Sequence, residues 1–325
     1  MLRPIQIIPA GTKFDFVGKR SVAYLFSLVL VLGSLVAFAV QGLNFGIDFR
    51  GGTLIEIKTE GPADITAIRD TIGGLGLGEV QVQEFGEPDD VLIRIQRQEG
   101  SEEEQIKAAE LVKEAIKPMI APGGERRVEF VGPTVGYELI EAAIWAISLA
   151  LGAILVYVWF RFEWQFGVGA VIALTHDVIS TIGLFAVTQL EFNLATVAAV
   201  LTIAGYSIND TVVIYDRVRE ELRRYKKLAL PNLLNIAVNG TLSRTFMTSF
   251  TTLLALFALV ALGGPIIRDF SLAMIWGIVI GTYSSVFIAV PVLLLLRFNR
   301  EALTAGDGEN AQAPDAPDGG DRQSL

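Results

Sequence analysis

Six long apolar runs alternate with polar stretches along the chain. An α-helix needs about 20 predominantly apolar residues to cross a hydrocarbon core of roughly 30 Å. The pattern therefore predicts an α-helical polytopic membrane protein with six spans. The expected spans are residues 21–40, 137–160, 165–187, 194–215, 241–262 and 270–296.

The polar stretch between the first two spans, residues 41–136, is long enough to form a water-soluble domain. Its apolar positions alternate with period two in some segments and recur at helical spacing in others. The order β-α-β-β-α-β predicts an inserted α+β domain of the ferredoxin-like type, which is commonly a docking module. The expected strands are 53–58, 79–85, 91–97 and 128–131, and the expected helices are 64–75 and 101–120.

The first apolar run follows a basic segment, residues 1–20, and could instead be a cleaved signal peptide. Ala37-Phe38-Ala39 resembles a cleavage site for such a peptide. However, the run is long for the apolar core of a signal peptide, and it starts late. We therefore predict that it remains as a membrane helix.

Composition agrees with a membrane protein, because 52% of the residues are hydrophobic and the mean hydropathy is +0.50. The net charge of −9 says little about binding partners, since the acidic residues gather in the inserted domain and the tail. The absence of cysteine excludes disulfides, thiol catalysis and cysteine metal sites. The tail, residues 297–325, is rich in Gly, Pro, Asp and Gln and is predicted to be disordered.

Basic residues are distributed unevenly among the connections between the spans. They precede the first span, occupy the connection between the second and third spans and the loop 216–240 between the fourth and fifth, and follow the sixth span. The positive-inside rule then predicts that both termini and the basic loop are cytoplasmic and that domain 41–136 lies outside. Gly277 and Gly281 have the spacing of a helix-packing motif, which is a weak signal by itself.

A carboxylate, Asp210, lies within the fourth apolar run, in the stretch GYSINDTVVIYDRVRE from Gly205 to Glu220. An Asp at the centre of a membrane helix costs about 2.5–3.5 kcal/mol, so its presence suggests a functional site. Arg244 lies about one turn inside the next, antiparallel span and can reach a similar depth. The two residues could form a proton-dependent switch or a static ion pair that assembles the helices.

His176, the only histidine, and Asp177 form a second polar site near the middle of the third span. The histidine could relay protons, or it could be a neutral donor to a carbonyl. Tyr206, Ser207 and Asn209 precede Asp210 and could line a hydrated crevice or form helix–helix hydrogen bonds. Thr211 of the fourth span has the same two interpretations. So do the hydroxyl residues of the fifth span: Ser243, Thr245, Thr248, Ser249, Thr251 and Thr252.

Enzymatic activity is not predicted. The sequence contains no HExxH, GxSxG or P-loop motif, and one histidine cannot form a histidine-rich metal site. We predict no cofactor, no metal and no nucleic-acid partner.

Several segments together resemble the SecF branch of the SecD/SecF family, which belongs to the RND superfamily. They are NFGIDFRGG (residues 44–52), VGPTVG (131–136), ALTHDV (173–178), the stretch around Asp210, and NGTLSRTFMTSFTTLLALFALVALGG (239–264). The resemblance extends to about Arg300, and the tail adds nothing to it.

The resemblance implies a subunit of the Sec protein-export machinery in the bacterial cytoplasmic membrane. It implies a SecD-like partner, a wider complex with SecYEG, SecA and a YajC-like subunit, a preprotein substrate, and use of the proton motive force in late translocation. It also assigns proton coupling to Asp210 and Arg244. The family's turn motif falls on Gly46, Asp48, Arg50, Gly51 and Gly52.

Two alternatives remain. The chain could be a self-contained proton-coupled exporter of small or lipid-like solutes, although six helices and one small external domain resemble half of an RND pore. It could also be a purely structural assembly subunit in which Asp210 and Arg244 form a static pair. Copurification with a SecD-like partner distinguishes the Sec subunit from the self-contained exporter. Substitutions that prevent Asp210 from titrating distinguish the proton-dependent switch from the static pair.

Overall fold

The computed structural model describes residues 12–78, 80–98, 102–131 and 133–296. The segment 1–11 and the predicted disordered tail 297–325 lie outside the described residues. The first membrane-length helix, α1, is Arg20–Gln41, and it leads into a short strand, β1 (Asn44–Phe45), and one helical turn, α2 (Ile47–Arg50).

A four-stranded antiparallel sheet forms the inserted domain. Its elements in chain order are β2 (Gly52–Thr59), α3 (Ile65–Gly73), β3 (Val80–Phe85), β4 (Glu87–Ile95), α4 (Glu102–Ile116) and β5 (Ile120–Val131). The strand order is β3-β4-β2-β5 with all neighbours antiparallel, as the predicted split pattern requires. The alternating residues Ile55, Ile57 and Ile93 are buried on the face that α3 and α4 cover.

The last strand of the domain is longer than predicted. The alternation at 128–131 identified only its end, whereas the strand begins at Ile120. Its first half pairs with β2 across two register shifts, and Gly123 and Gly124 interrupt the apolar alternation there. A Cβ at Gly124 would collide with the Lys58 carbonyl, so close backbone approach explains this glycine.

The membrane part contains the remaining five spans. They are α5 (Pro133–Arg161), α6 (Trp164–Thr188), α7 (Leu194–Arg224), α8 (Leu230–Leu262), and a sixth span (Ile267–Leu295) made of α9 (Gly264–Ser284), a π-helical turn (Ser285–Ala289) and α10 (Val290–Leu295). A two-residue strand, β6 (Glu191–Phe192), precedes α7. The six predicted membrane-length helices are thereby confirmed.

The bundle is built around α6, α7 and the sixth span, which are largely buried, whereas α1, α5 and α8 are mostly exposed at its periphery. Gly277 and Gly281 of α9 face α7. A Cβ at Gly277 would collide with the Ile203 side chain, and one at Gly281 would lie 3.0 Å from the Ser207 Cβ. The weak packing motif in the sequence is therefore a close helix contact.

The predicted loop 216–240 is corrected by the structure. Helix α7 continues to Arg224 and α8 begins at Leu230, which leaves only residues 225–229 as the connection. Ion pairs from Arg217 to Glu220 (2.7 Å) and to Glu221 (2.5 Å) support helix in a segment that its charges suggested was a loop. Buried Leu233 and Leu234 anchor the start of α8.

The two ends of the bundle differ. At the end that carries the sheet, β1 pairs in parallel with β6, joining the chain after α1 to the connection between α6 and α7. We call the opposite end the basic end. There, Asn235 of α8 accepts the N–H groups of Phe16 and Val17 at 3.0 Å each, so residues 12–19 fold back along the bundle.

Glycine 52 provides a test of the fold. Its φ is +123°, and an added Cβ would lie 2.6 Å from the Ile95 carbonyl oxygen. We expect Gly52→Ala to lower the free energy of unfolding by more than the roughly 1 kcal/mol of a positive-φ penalty alone. Thermal unfolding of the detergent-purified protein measures this effect.

Gly61→Ala is the matched control, because Gly61 has φ +99° but no atom within 4 Å of its added Cβ. Its thermal transition should fall less than that of Gly52→Ala. Equal shifts in the two variants would contradict a steric requirement at Gly52.

Candidate functional site

A fully buried carboxylate, Asp177 of α6, lies at the centre of the bundle. Its Oδ2 accepts hydrogen bonds from Ser207 of α7 (2.6 Å) and Ser284 of α9 (2.7 Å). Its Oδ1 lies 3.0 Å from Nδ1 of His176. Three helices are thus joined through one side chain, because each polar group has no water to bond in an apolar interior.

The sixth span changes its hydrogen-bond pattern beside this carboxylate. The π-helical turn begins at Ser285, whose hydroxyl is 2.8 Å from that of Thr211 and 3.3 Å from the Ser207 carbonyl. Ser284 and Ser285 are both completely buried. Single π turns occur frequently at functional sites. The turn here begins with Ser285, which contacts α7, directly after Ser284, which donates to Asp177 of α6.

Asp210 lies one turn after Ser207 on α7 and is only 3% exposed. Its Oδ2 has no hydrogen-bond partner among the described residues, and neither has the buried Thr245 hydroxyl of α8. Unlike Asp177, Asp210 is therefore buried without the donors that would stabilise its charge. Such a group is expected to bind a proton or a cationic partner.

The predicted pair of Asp210 with Arg244 is not in contact in this structure. Arg244 is close enough to act electrostatically on the Asp210 carboxylate, but no N···O distance between the two is within 4.0 Å. The Arg244 side chain is exposed on α8. The coupling role of the two residues stays a prediction.

The remaining predicted polar residues separate into two groups. Tyr206 donates to Ser249 of α8 at 3.4 Å, and Ser249 is 2.7 Å from Thr282 of α9, so these three residues form a second set of hydrogen bonds between α7, α8 and α9. Asn209, in contrast, is exposed and does not join it. The Nε2 atom of His176 is buried without a partner, and its ring centroid is 6.1 Å from that of Tyr283.

The predicted turn motif holds the start of α7. The Asp48 carboxylate accepts the N–H of Leu194, the first residue of α7, at 2.9 Å. Asn193 and Thr196 add a reciprocal capping box. The Gly46 N–H donates to the Phe192 carbonyl at 2.9 Å, and a Cβ at Gly46 would collide with Glu191.

The other members of this motif set the path of the backbone into the sheet. Gly51 has φ +70° and Gly52 has φ +123°, both in the region that favours glycine. Both glycines are buried, whereas Arg50 is exposed. The motif therefore places Asp48 against α7 and then directs the chain into β2.

A second contact joins the sheet to the segment that precedes α7. Arg94 of β4 forms an ion pair with Glu191 of β6, and both side chains are mostly buried. Burial lowers the pKa of the Arg94 guanidinium, which nevertheless stays charged near neutral pH. A cavity of about 190 Å³ adjoins this pair, lined by side chains that include Asp48, Glu56, Glu191 and Asp269. Sequence patterns gave no indication of this pair, since its members are far apart in the chain.

One group of acidic residues has the spacing of a metal site: Glu87, Asp89 and Asp90 at the start of β4. The Lys58 ammonium is 2.8 Å from Asp89, and the Arg126 guanidinium is 3.1 Å from Asp90. The hydrogen bond from Lys58 lowers the pKa of the Asp89 carboxyl. All three carboxylates are within 4.0 Å of one of these cations, which occupy the space that a metal ion would need, so we assign no metal to the cluster.

Comparison with known proteins identifies the relatives of this chain. The family model "Protein export membrane protein SecD/SecF, C-terminal" matches residues 111–299, and the model "SecD/SecF GG Motif" matches residues 36–63. The chain is 46% identical over 304 residues to protein translocase subunit SecF of Rickettsia rickettsii, covering 92% of this chain and 98% of the relative. It is 50% identical over 294 residues to the SecF subunit of Magnetococcus marinus, covering 90% and 94%.

A solved structure is also similar. The crystal structure of SecDF, a translocon-associated membrane protein from Thermus thermophilus, superposes with a TM-score of 0.80 at 35% identity. The match covers 88% of this chain but only 39% of the SecDF chain. The chain therefore spans well under half the length of that protein.

The contrast between the two buried carboxylates leads to a stability prediction. Asp177→Ala leaves two serine hydroxyls and one imidazole without their acceptor, so we expect a loss of about 2–4 kcal/mol in unfolding free energy. Asp210→Ala is the matched control, because it removes the same atoms where the structure gives one oxygen no partner.

Thermal unfolding in one detergent measures both variants. We expect the transition of Asp177→Ala to fall well below that of Asp210→Ala. A larger fall for Asp210→Ala would show that Asp210 is the better-satisfied carboxylate and contradict the hydrogen bonding described above.

Proposed function

Because this chain belongs to the SecD/SecF family of protein-export membrane proteins, as a SecF subunit, we propose that it couples proton movement to a late step of protein translocation. It is a bacterial membrane protein and an accessory subunit of Sec translocation. Proton coupling, the assembly partners and the orientation in the membrane are the proposed parts. The relatives are named as subunits of a translocase, a transport role that favours this function over the self-contained exporter.

The observation that carries the proposal is the state of Asp210. Its carboxylate is buried, one oxygen has no partner, and the nearest influential cation, Arg244, is not in contact. A charge held in this way is costly, and binding one proton removes the cost. Each proton that crosses the membrane releases about 2.3 kcal/mol per 100 mV. Alternate binding and release at Asp210 would use that energy to repack α7.

Arg244 supports assembly with a SecD-like subunit. A guanidinium on the exposed face of a membrane helix costs about 2.5–3.5 kcal/mol when it faces lipid. A polar or acidic surface on a partner subunit would pair with the guanidinium and remove that cost. SecYEG, SecA and a YajC-like subunit belong to the wider complex in this proposal, and an unfolded preprotein is the substrate.

The path from Asp210 to the sheet runs through α7. The helix carries Asp210 in its interior and begins at Leu194, where Asp48 holds its first N–H. Arg94 joins the sheet to Glu191, immediately before the helix. A shift of α7 would therefore act on the sheet through two direct contacts. The distribution of basic residues supports the proposed orientation, with the sheet outside the cytoplasm and both termini inside.

Export driven by the proton gradient tests the proposal. In membrane vesicles that contain the full chain and its SecD-like partner, we expect Asp210→Asn to abolish the stimulation of preprotein export by the gradient. An amide cannot take up and release the proton, although it has nearly the same shape. Asp70→Asn, on the exposed surface of α3, is the charge-matched control and should keep full stimulation.

The complex must remain assembled in both variants, which copurification checks. Unchanged stimulation in an assembled Asp210→Asn complex would show that Asp210 does not titrate during coupling. A structural role of Asp210 in assembling the helices would then account for the residue.

Substitution of Arg244 tests the partner assignment. We expect Arg244→Gln to reduce copurification of the SecD-like subunit by about tenfold or more, because a charge at a buried interface loses its counterpart. Arg244→Lys should restore part of it, and Lys107→Gln on the exposed face of α4 should leave it unchanged. Full copurification with Arg244→Gln would place Arg244 outside the interface.

A further inference from the structure

A cleft at the basic end of the bundle is lined almost entirely by charged side chains. Its volume is about 580 Å³, and it lies between the end of α5 and the last two turns of α7. The lining residues are Arg161, Asp216, Arg219, Glu220, Arg223 and Arg224. Four guanidinium groups thus converge with only two carboxylates.

Both carboxylates of the cleft are already paired. Asp216 accepts a hydrogen bond from Arg161 at 2.6 Å, and Glu220 accepts one from Arg217 at 2.7 Å. Glu163, outside the lining of the cleft, forms a longer ion pair with Arg219 at 3.9 Å. The cleft therefore keeps an excess of positive charge.

The arginines are held in place by stacking. The guanidinium of Arg161 lies 4.9 Å from the centroid of the buried Phe162 ring, and that of Arg219 lies 5.6 Å from the same ring. Arg219 also donates to the Arg161 carbonyl at 3.4 Å, and its Nε is buried without a hydrogen-bond partner. Arg224 stacks on Tyr225 at 5.3 Å. Positioned guanidinium groups suit the oxygens of a phosphate, which they can bind in pairs.

The depth of the cleft indicates where that phosphate comes from. Helix α7 has 31 residues and is about 46 Å long, well over the roughly 30 Å of the hydrocarbon core, so its last turns lie at the headgroup level. Trp159 and Trp164, on either side of the α5–α6 connection, are 74% and 57% exposed. Exposed tryptophans mark the membrane–water interface.

We propose that this cleft binds the headgroup of an anionic phospholipid, with Arg219 and Arg224 contacting the phosphate and the two tryptophans packing beside the acyl chains. Basic pockets between membrane helices bind such headgroups. A soluble anion would need no interfacial aromatic residues next to its site. The assignment does not depend on proton coupling, since the cleft lies beyond the membrane core and shares no residue with the Asp210 site.

Native mass spectrometry of the full chain with its SecD-like partner, in detergent with added phosphatidylglycerol or phosphatidylcholine, tests the site. We expect phosphatidylglycerol to bind preferentially. The double substitution Arg219→Gln with Arg224→Gln should weaken its binding by about tenfold or more. Lys226→Gln with Lys227→Gln is the control, because it removes the same charge just beyond α7 and outside the cleft.

A second measurement covers the case in which the double arginine variant unfolds. Arg224→Gln alone changes an exposed side chain, and it should reduce the rise in thermal stability that phosphatidylglycerol gives the wild type.

Equal weakening in the lysine control, or none in either arginine variant, would overturn the proposal. Binding of inorganic phosphate as tight as that of phosphatidylglycerol, with no contribution from acyl chains, would assign the cleft to a soluble anion. Displacement of the lipid by an acidic peptide alone would assign it to a protein partner, and either result contradicts a lipid site.

Discussion

The membrane part of this protein depends on the hydrogen bonding of one buried carboxylate. In a hydrocarbon environment every polar group must find its partner inside the protein. Asp177 meets that requirement by accepting from Ser207 and Ser284, two residues on different helices. The glycines at 277 and 281 allow the same helices to approach closely enough for those short bonds. Helices α6, α7 and α9 are therefore fixed relative to one another at the level of Asp177.

Asp210 occupies the next turn of α7 under opposite conditions. It is buried in the same bundle but has one oxygen without a donor, and the hydroxyl of Thr245 nearby is also unpaired. A rigid, satisfied site thus lies directly beside an unsatisfied one on the same helix. This arrangement suits a coupling element, because the first site preserves the packing while the second changes its protonation. The sheet receives any shift of α7 through Asp48 and Glu191.

Much of the surface of the bundle is apolar and is suited to contact with lipid or with another membrane subunit. Helices α1, α5 and α8 expose apolar faces, as expected for contact with lipid or with another membrane subunit. The exposed Arg244 lies well inside α8, 14 residues after the helix begins, and lipid alone does not satisfy a guanidinium there. At the basic end, stacked arginines beside exposed tryptophans are suited to the headgroup layer. Each surface matches a different part of the surroundings.

The amino-acid sequence by itself determined the features that depend on local pattern. Hydropathy over about 20 residues gave the six spans, alternation and capping gave the sheet and its helices, and the cost of a charge in lipid pointed to Asp210. The family motif at residues 44–52 indicated the turn around Asp48. These signals are contained within short windows of the chain, and for that reason the sequence reveals them.

Only the tertiary structure decided which polar groups are satisfied. The bond from Ser284 to Asp177 joins residues 107 positions apart, and the pair of Arg94 with Glu191 spans 97 positions. The exposure of Arg244 on α8 likewise follows from packing. Charge and hydropathy along the chain do not specify which face of a helix meets its neighbours. The face by which each helix packs against the others determines burial and hydrogen bonding, because both depend on contacts between segments that are distant in the sequence.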